Sequence, residues 1–393
     1  MVSIPEALQI IEDNVFPTTQ SEMKRVSEAL GYVLSEAVAS PINMPPFRQS
    51  AMDGYALHLH DSNTYTLVGE VKAGDAHQLD LNSGDAIRIF TGAAVPDTAN
   101  AVVMQEKVSA RGETIQIEGT VALHANIRPQ GEQVKEGSTA LEKGTLLTPA
   151  GIGFLTSLGI TEVNVHKKPT ITIVTTGNEL IAPGQPLEHG QIYESNATML
   201  ASSLQGLGYD KVTIRKVEDD YDKTFKLLQS SILESDLVLI TGGISVGDYD
   251  FVGKALIEMG VNQLFYKVKQ KPGKPLFFGK KEETVVFALP GNPAAALTCF
   301  NIYVRKALER MSGNLHFSIT KTKEPLAAPF QRKGDRPQFL KAMYANGSVT
   351  ILDGQSSAML QTFALANALV FAPEEMVDMK PGDIVDVIHV PNS

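Results

Sequence analysis

Four segments of this 393-residue sequence carry residue types and spacings suited to a phosphorylated or otherwise anionic ligand. They are Thr175–Glu179 (TTGNE), Thr241–Asp250 (TGGISVGDYD), Lys271–Pro275 (KPGKP) and Leu289–Pro293 (LPGNP). Glycines let a backbone approach its ligand closely, and the free N–H groups at the start of a following helix favour an anion. The KPGKP segment adds two cations on a backbone held by prolines. Asp248 and Asp250 leave two readings open. They can complement a helix dipole, or they can help hold Mg²⁺, which takes one or two carboxylates alongside phosphate oxygens and water.

Other chemistry-bearing residues give weaker patterns. Gly243–Gly247 satisfies G-x-S-x-G, the nucleophile elbow of serine hydrolases, with Ser245 at its centre. The His that such a site needs downstream is limited to His316 or His389, both in an apparently separate C-terminal section. His58 and His60 are spaced to share a strand face, but no third metal ligand lies nearby, so they read as exposed strand histidines. Cys299 sits in an apolar helical pattern and reads as core packing. Neither the dinucleotide fingerprint G-x-G-x-x-G nor the P-loop G-x-x-x-x-G-K-[ST] is present.

The anion-suited loops need strands to deliver them. ITIVTT from Ile171 is a continuous β-branched run, as expected for a strand buried on both faces. It is followed by a helix from about Asn196, capped by Ser195 or Asn196, then the strand KVTIRKV and a helix from about Tyr221 to Leu233. DLVLIT, a helix from Phe251 to Met259, QLFYKVKQ, PLFFG, TVVFALP and a helix from Pro293 to about Met311 complete the series. This alternation predicts a doubly wound α/β domain, whose ligands bind beyond the carboxyl ends of its strands. Upstream, Ile4, Ala7, Ile10 and Ile11 share one helical face, and Met23, Val26, Ala29 and Leu30 repeat that spacing. After Pro41 the texture changes to short alternating runs (YTLVGEV, AIRIF, AVVMQE, TIQIEG), which predict a small β domain inserted between helical segments. LLTPAGIGFLTSLGI then predicts a short helix, and β runs ending in GDIVDVIHV predict a β-barrel-like C-terminal domain. The expected divisions are a discontinuous N-terminal domain (1–41 and 131–168), an inserted β domain (42–130), the α/β domain (169–315) and a C-terminal β domain (316–393).

Composition narrows the class. The 34 Lys+Arg against 44 Asp+Glu give a formal net charge of −10, which argues against nucleic acid as a partner. With one cysteine, neither an intrachain disulfide nor a Cys-rich zinc site can form. The N-terminus lacks a basic start and reads as an amphipathic helix. The longest uncharged stretch, Gly354–Pro373, is interrupted by polar residues that lipid would not satisfy. No membrane association and a cytoplasmic location are therefore expected.

PPFRQSAMDGYAL, RIFTGAAVP, TTGNEL, GQIYESNATML, TGGISVGDYDFV, KQKPGKPLFFG and LPGNPAAA, in that order, resemble the molybdopterin molybdenumtransferase family, whose eukaryotic relatives include the gephyrin E domain. The likeness runs from about residue 5 to the closing PGDIVDV. It implies an elongated homodimer that takes adenylylated molybdopterin and molybdate, inserts the metal at the dithiolene and releases AMP, supported by Mg²⁺. It also implies that Asp53 and Thr91 of the inserted domain reach the α/β cleft of the partner subunit. Catalytic roles carry over to Asp53, Thr91, Glu179, Asp219, Asp250, Lys267 and Lys271, with Glu179 and Asp250 as metal ligands. The pterin phosphates are expected on Thr176, Gly177, Gly242, Gly243, Ser245, Gly247, Asp248, Pro290, Gly291, Asn292 and Pro293. The incoming oxyanion is expected on Lys274, Arg336 and Ser357. The resemblance further implies partners that supply and consume the cofactor, namely a molybdopterin adenylyltransferase and molybdoenzyme-maturation proteins. The family commonly has an acid where this chain has Gln133, and Glu and Arg where it has Gln338 and Lys341. Those departures bear on substrate detail, tungstate against molybdate for example. A non-catalytic scaffold is the remaining alternative, since relatives have acquired receptor-clustering roles.

Overall fold

The computed structural model describes residues 1–76, 79–244 and 251–390. They fall into two compact units, one formed by 1–22, 31–33 and 165–393, the other by 23–30 and 34–164.

The larger unit begins with α1 (Ile4–Asn14), whose start is fixed by a capping box. The Ser3 hydroxyl accepts from the Glu6 N–H, and the Glu6 carboxylate accepts from the Ser3 N–H. The smaller unit holds β1 (Gly54–Leu57), β2 (Thr64–Val71), β3 (Asp85–Ile89), β4 (Ala101–Met104), β5 (Val108–Arg111) and β6 (Thr114–Ile117). They form one sheet in the order β4-β1-β3-β2-β6-β5, antiparallel except for the parallel pair β2–β3. Its faces follow the alternation: Ala56, Ile87 and Val102 enter one apolar cluster, Tyr55, Leu57 and Val103 the other. α2 (Pro149–Ser157) has its N-terminus capped by the Thr148 side chain, which accepts from the Gly151 N–H.

The spacing of Met23, Val26, Ala29 and Leu30 does not form the expected helix. The chain makes a strand (Ser21–Arg25) and a single 3₁₀ turn (Val26–Glu28). Val26 and Ala29 are buried while Met23 and Leu30 are exposed. An i, i+3 spacing over one turn suits a 3₁₀ turn as well as an α-helix, and Gly31 at φ 74° lies just beyond it.

The α/β sheet of the larger unit is built from β7 (Ile171–Thr176), β8 (Val212–Val217), β9 (Leu237–Thr241), β10 (Asn262–Lys267), β11 (Pro275–Lys281) and β12 (Thr284–Leu289). Their order is β8-β7-β9-β12-β11-β10; the first four are parallel, and β11 and β10 add an antiparallel edge. Period-2 alternation splits the sheet into two apolar faces. Ile171, Ile173, Leu239 and Phe287 join the cluster that holds α1, α3 (Asn196–Gly206), α6 (Pro293–Cys299) and α7 (Arg305–Met311). Val174, Val238, Ile240 and Ala288 join α4 (Tyr221–Glu234) and α5 (Phe251–Glu258). The doubly wound expectation is met. The helix expected over 293–311 is continuous but contains one π-helical segment, Phe300–Val304, between α6 and α7.

The C-terminal strands are β13 (Lys321–Pro325), β14 (Gln338–Ala345), β15 (Ser348–Ile351), β16 (Ala368–Ala372) and β17 (Ile384–His389), with α8 (Leu360–Leu365) between β15 and β16. They pair antiparallel in the order β13-β17-β16-β14-β15. The sheet curls until its edges approach: just past β13, Leu326 bridges Val349 of β15, and the Ala327 N–H donates to the Val349 carbonyl at 2.8 Å. Such closure hides strand edges and agrees with the expected barrel-like domain. Among the described residues no helix is long and apolar enough to cross a membrane.

Candidate functional site

A cavity of about 470 Å³ opens at the carboxyl ends of β7, β9 and β12 in the larger unit. Thr176, Glu179, Gly242, Pro290, Gly291, Asn292 and Pro293, each expected from sequence, line it. Tyr193, Glu194, Ser195, Asn196, Thr241 and Pro275, which carried no assigned site role, line it as well. This is where an open α/β sheet presents loops rather than side-chain-filled core.

The strand ends are packed backbone to backbone. A Cβ on Gly242, at φ 87°, would lie 2.5 Å from the Thr176 carbonyl oxygen, and one on Gly243 would lie 2.6 Å from Thr176 Oγ1. At Gly177 a Cβ would meet only the carboxylate of exposed Glu179, 2.7 Å from Oε2, which can turn aside, and it is the φ of 142° that favours glycine there. Gly242 and Gly243 are therefore the steric requirements of the loop junction. Asn196 closes it: Nδ2 donates to Thr241 Oγ1 at 2.7 Å and to the Gly291 carbonyl at 2.8 Å, tying α3 to two strand ends. Ser195 stands at the N-cap of α3, as expected from sequence, but its side chain makes no cap bond; the Glu194 carboxylate supplies one instead, accepting from the Ala197 N–H at 2.8 Å. Thr176 Oγ1 and Asn196 Oδ1 are buried and have no hydrogen-bond partner among the described residues. Two orphaned polar atoms at the floor of a cavity are what a polar ligand or ordered water would satisfy.

Asp219 acts on the wall through the backbone. Its carboxylate accepts from the Asn178 N–H at 3.1 Å, and Asn178 Oδ1 accepts from the Asp219 N–H at 3.0 Å. This reciprocal pair pins the turn that carries Glu179 to the end of β8.

The expected cations gather on adjoining loops. The Lys271–Lys274 loop runs directly into Pro275 of the cavity wall and is closed by the Val268 N–H donating to the Lys274 carbonyl at 3.0 Å. Lys271 and Lys274 are exposed. Arg336, half-buried, donates through Nη1 to the Gln270 carbonyl at 2.9 Å. Lys267 ends β10, with its Nζ 5.9 Å from the Tyr266 ring centroid. Ser357 Oγ accepts from Asn292 Nδ2 at 3.0 Å, which leaves its own proton available to an oxyanion. The Ser357 carbonyl accepts from the N–H groups of Ala294 and Ala295 at 3.1 and 3.3 Å. The first-turn donors of α6 are thus already used, contrary to the expectation that they would be free for an anion.

Two buried cations organise these loops without a carboxylate partner among the described residues. Arg332, 3% exposed, donates to the carbonyls of Met376, Gly334, Arg336 and Glu374. Lys341, 4% exposed, donates to the carbonyls of Gly354, Ser356 and Met359 at 2.8, 3.0 and 3.1 Å; burial lowers its pKa. One therefore shapes the loop that carries Arg336 and the other the loop that carries Ser357. Gln338, at the other noted departure, donates to the Lys333 carbonyl at 2.6 Å.

In the smaller unit Asp53 and Thr91 form a pair of their own. Asp53 Oδ1 accepts from both the Thr91 N–H and the Thr91 hydroxyl at 2.7 Å. Those two bonds, the backbone one first, hold the Asp53 carboxyl below its ordinary range, with Arg88 adding to the effect. Gln133 turns its backbone N–H to the Met44 carbonyl at 2.9 Å. His58 and His60 lie just beyond β1, not on a strand, each with a ring nitrogen near a backbone carbonyl (Leu81 and Thr64). Cys299 is core as expected: it is fully buried, and burial pushes its thiol up to about 12. Ser245, Gly247, Asp248 and Asp250 lie outside the described residues.

Comparison with known proteins agrees with this geometry. Residues 2–159 match the profile of the "MoeA N-terminal region (domain I and II)", 172–310 that of the "Probable molybdopterin binding domain", and 323–390 that of the "MoeA C-terminal region (domain IV)". The chain is 34% identical over 402 residues to the molybdopterin molybdenumtransferase of Haemophilus influenzae, with 96% of each chain covered. It is 33% identical over 377 residues to molybdopterin molybdenumtransferase 2 of Mycobacterium tuberculosis, covering 92% of this chain and 93% of the relative. The crystal structure of the molybdopterin biosynthesis MoeA protein from Pyrococcus horikoshii OT3 superposes with a TM-score of 0.84 at 32% identity, over 99% of this chain and 100% of that one. Full-length identity at this level, together with all three domain profiles in order, places the chain in the MoeA family, the molybdopterin molybdenumtransferases.

Proposed function

We propose that this chain inserts molybdate into adenylylated molybdopterin and releases AMP. The observation that carries the reading is the strand-end cavity, whose Thr176 hydroxyl and Asn196 amide oxygen have no partner among the described residues and which continues directly into a loop bearing Lys271 and Lys274. Such a site places a phosphate-bearing pterin beside a cationic seat for an oxyanion. Cleaving a phosphoanhydride asks mainly for positioning and charge neutralisation. The glycine junction and Asn196 provide the first, and Lys267, Lys271, Lys274 and Arg336 the second. Arg336 offers a fixed fork of donors to a tetrahedral oxyanion.

Mg²⁺ suits the donor set. Among the described residues no group of three or more His, Cys, Asp or Glu could enclose a metal alone. The exposed carboxylate of Glu179 at the cavity wall is the hard-oxygen ligand expected of an ion that takes its other ligands from phosphate and water. Asp250, the second expected ligand, lies outside the described residues. When bound, the ion would neutralise phosphate charge.

The same reading makes the protein a cytoplasmic homodimer whose active site combines Asp53 and Thr91 of one subunit with the cavity of the other. An adenylylating enzyme would supply its substrate, and proteins that mature molybdoenzymes would consume its product. The serine-hydrolase alternative loses ground on two counts. His389, one of its two available bases, is engaged with Thr322 Oγ1 at 3.0 Å and stacked edge-on against Tyr344, and the family assignment points elsewhere.

AMP release from adenylylated molybdopterin with Mg²⁺, measured with and without molybdate, tests the proposal. Molybdate-dependent release that yields cofactor able to activate an apo-molybdoenzyme is expected, and no release with ligand demonstrably bound would leave only the scaffold reading. Asp219 gives a finer test. Asp219→Ala removes the acceptor for the exposed Asn178 N–H and is expected to lower kcat/KM by about 2–13-fold, the net worth of a hydrogen bond of about 0.5–1.5 kcal/mol. Asp219→Asn keeps an acceptor there and should retain most of the original activity. Equal losses in the two variants would assign Asp219 its effect through charge instead.

A further inference from the structure

We propose that Gln270 is a positioning residue that presents Lys271, Lys274 and Arg336 to the incoming oxyanion as one preformed group; that the oxyanion is molybdate rests on the function proposed above.

Gln270 is fully buried, an expensive place for a polar side chain unless every polar atom is paired. Here it is. Nε2 donates to the Gly273 carbonyl at 3.1 Å and contacts Cys299 Sγ at 3.5 Å, and Oε1 accepts from the Tyr303 hydroxyl. A carbonyl can only accept, so the group facing Gly273 must be the amide nitrogen, and the orientation of the side chain is determined. Tyr303 itself is fully buried in the π-helical segment, so the acceptor end is held by rigid core.

One residue therefore grips three parts of the cationic group. Its side chain holds the far end of the Lys271–Lys274 loop through Gly273. Its carbonyl receives the Arg336 guanidinium. Its successor, Lys271, is locked on both sides of the backbone, with its N–H on the Pro337 carbonyl and its carbonyl accepting from Phe339, both at 2.9 Å. Gly273 fits this arrangement only as glycine: at φ 82°, a Cβ there would lie 2.5 Å from Cys299 Sγ and 3.0 Å from Gln270 Nε2. Lys271 and Lys274 keep exposed side chains on fixed backbone origins, and Arg336 is held at its guanidinium by the Gln270 carbonyl. That saves ordering cost when the anion binds.

Gln270→Met removes the amide and leaves the Tyr303 hydroxyl buried without a partner, so the variant should lose thermal stability as well as function. Gln270→Met/Tyr303→Phe removes both partners and is expected to recover a melting temperature close to that of the original protein. In that double variant the molybdate KM should rise about tenfold, with kcat and the KM for adenylylated molybdopterin little changed. Amide exchange at Phe339, whose N–H reports whether Lys271 is docked, should accelerate by about tenfold in the absence of any substrate. A double variant with the original molybdate KM and the original Phe339 exchange rate would overturn the proposal, as would losses spread equally over both substrates. If the unmodified protein shows no molybdate-dependent AMP release, the function fails, and Phe339 exchange alone still decides whether Gln270 positions the loop.

Discussion

Gly242→Ala is expected to lower molybdate-dependent AMP release by at least about a hundredfold, the loss that a displacement of roughly 1 Å inflicts on an aligned site. The new Cβ would sit 2.5 Å from the carbonyl oxygen of Thr176 and 3.2 Å from its hydroxyl. A flexible side chain could turn away, but the backbone carbonyl of Thr176, a buried residue that ends a parallel strand, has no such freedom. The residue also sits at φ 87°, where alanine carries backbone strain of about 1–3 kcal/mol. Both costs fall on the junction of β7 and β9, which floors the cavity. Gly291 is the internal control. It lines the same cavity, has no positive φ, and a Cβ there would meet only the Gly242 Cα, at 3.8 Å, an ordinary contact. Gly291→Ala should keep activity within a few-fold of the original, about the 1 kcal/mol scale of a tolerated substitution. If Gly242→Ala were equally mild, the cavity floor would not be the seat of the chemistry. Steady-state AMP release, read beside near-ultraviolet circular dichroism to confirm folding, separates these outcomes.

The contrast between those glycines also shows what the sequence could reveal and what it could not. The α/β strands were legible because they are buried on both faces, so ITIVTT and LVLIT are unbroken apolar or β-branched runs with glycine-rich ends. The ends of those runs located the cavity. Nothing in the local sequence distinguished Gly242, which backs onto a neighbouring strand, from Gly291, which does not. Asn196 escaped for a related reason. A polar residue at a helix start reads as a cap, yet its amide reaches Thr241 and Gly291, 45 and 95 positions away.

The residues that organise the cations were harder still to read. Arg332, Lys341 and Gln270 work almost entirely on main-chain carbonyls, and a carbonyl has no sequence signature. Lys341 stands out in sequence only as a departure from the family's Arg. In the structure its single ammonium reaches three carbonyls of the loop that holds Ser357. The misassigned helix over 23–30 marks the opposite limit. There a valid period was present, but one turn of it could not exclude the 3₁₀ alternative.

The proposed sharing of the active site between subunits makes its own large prediction. Asp53→Ala and Lys271→Ala should each lower AMP release by about 10²–10³-fold, the cost of removing one group that a transition state depends on. The two residues belong to different compact units: Asp53 is an exposed carboxylate held by Thr91, while Lys271 is an exposed cation rising from a locked backbone. In a dimer with crossed sites, combining the two variant chains places both lesions in one site and neither in the other. Each hybrid dimer should then show about half the original activity, and a statistical mixture about a quarter. If instead both residues serve the site of their own subunit, every site in the hybrid carries one lesion and nothing is recovered. Differently tagged chains, purified sequentially so that only hybrids are assayed, make the two arrangements distinguishable by a difference of about fifty-fold or more. The double variant Asp53→Ala/Lys271→Ala paired with an unmodified chain completes the logic. Crossed sites then carry one lesion each and the hybrid is inactive, whereas uncrossed sites leave one subunit intact. The two hybrids must give opposite results under either geometry, so an accidental loss of folding in one preparation cannot imitate a shared site.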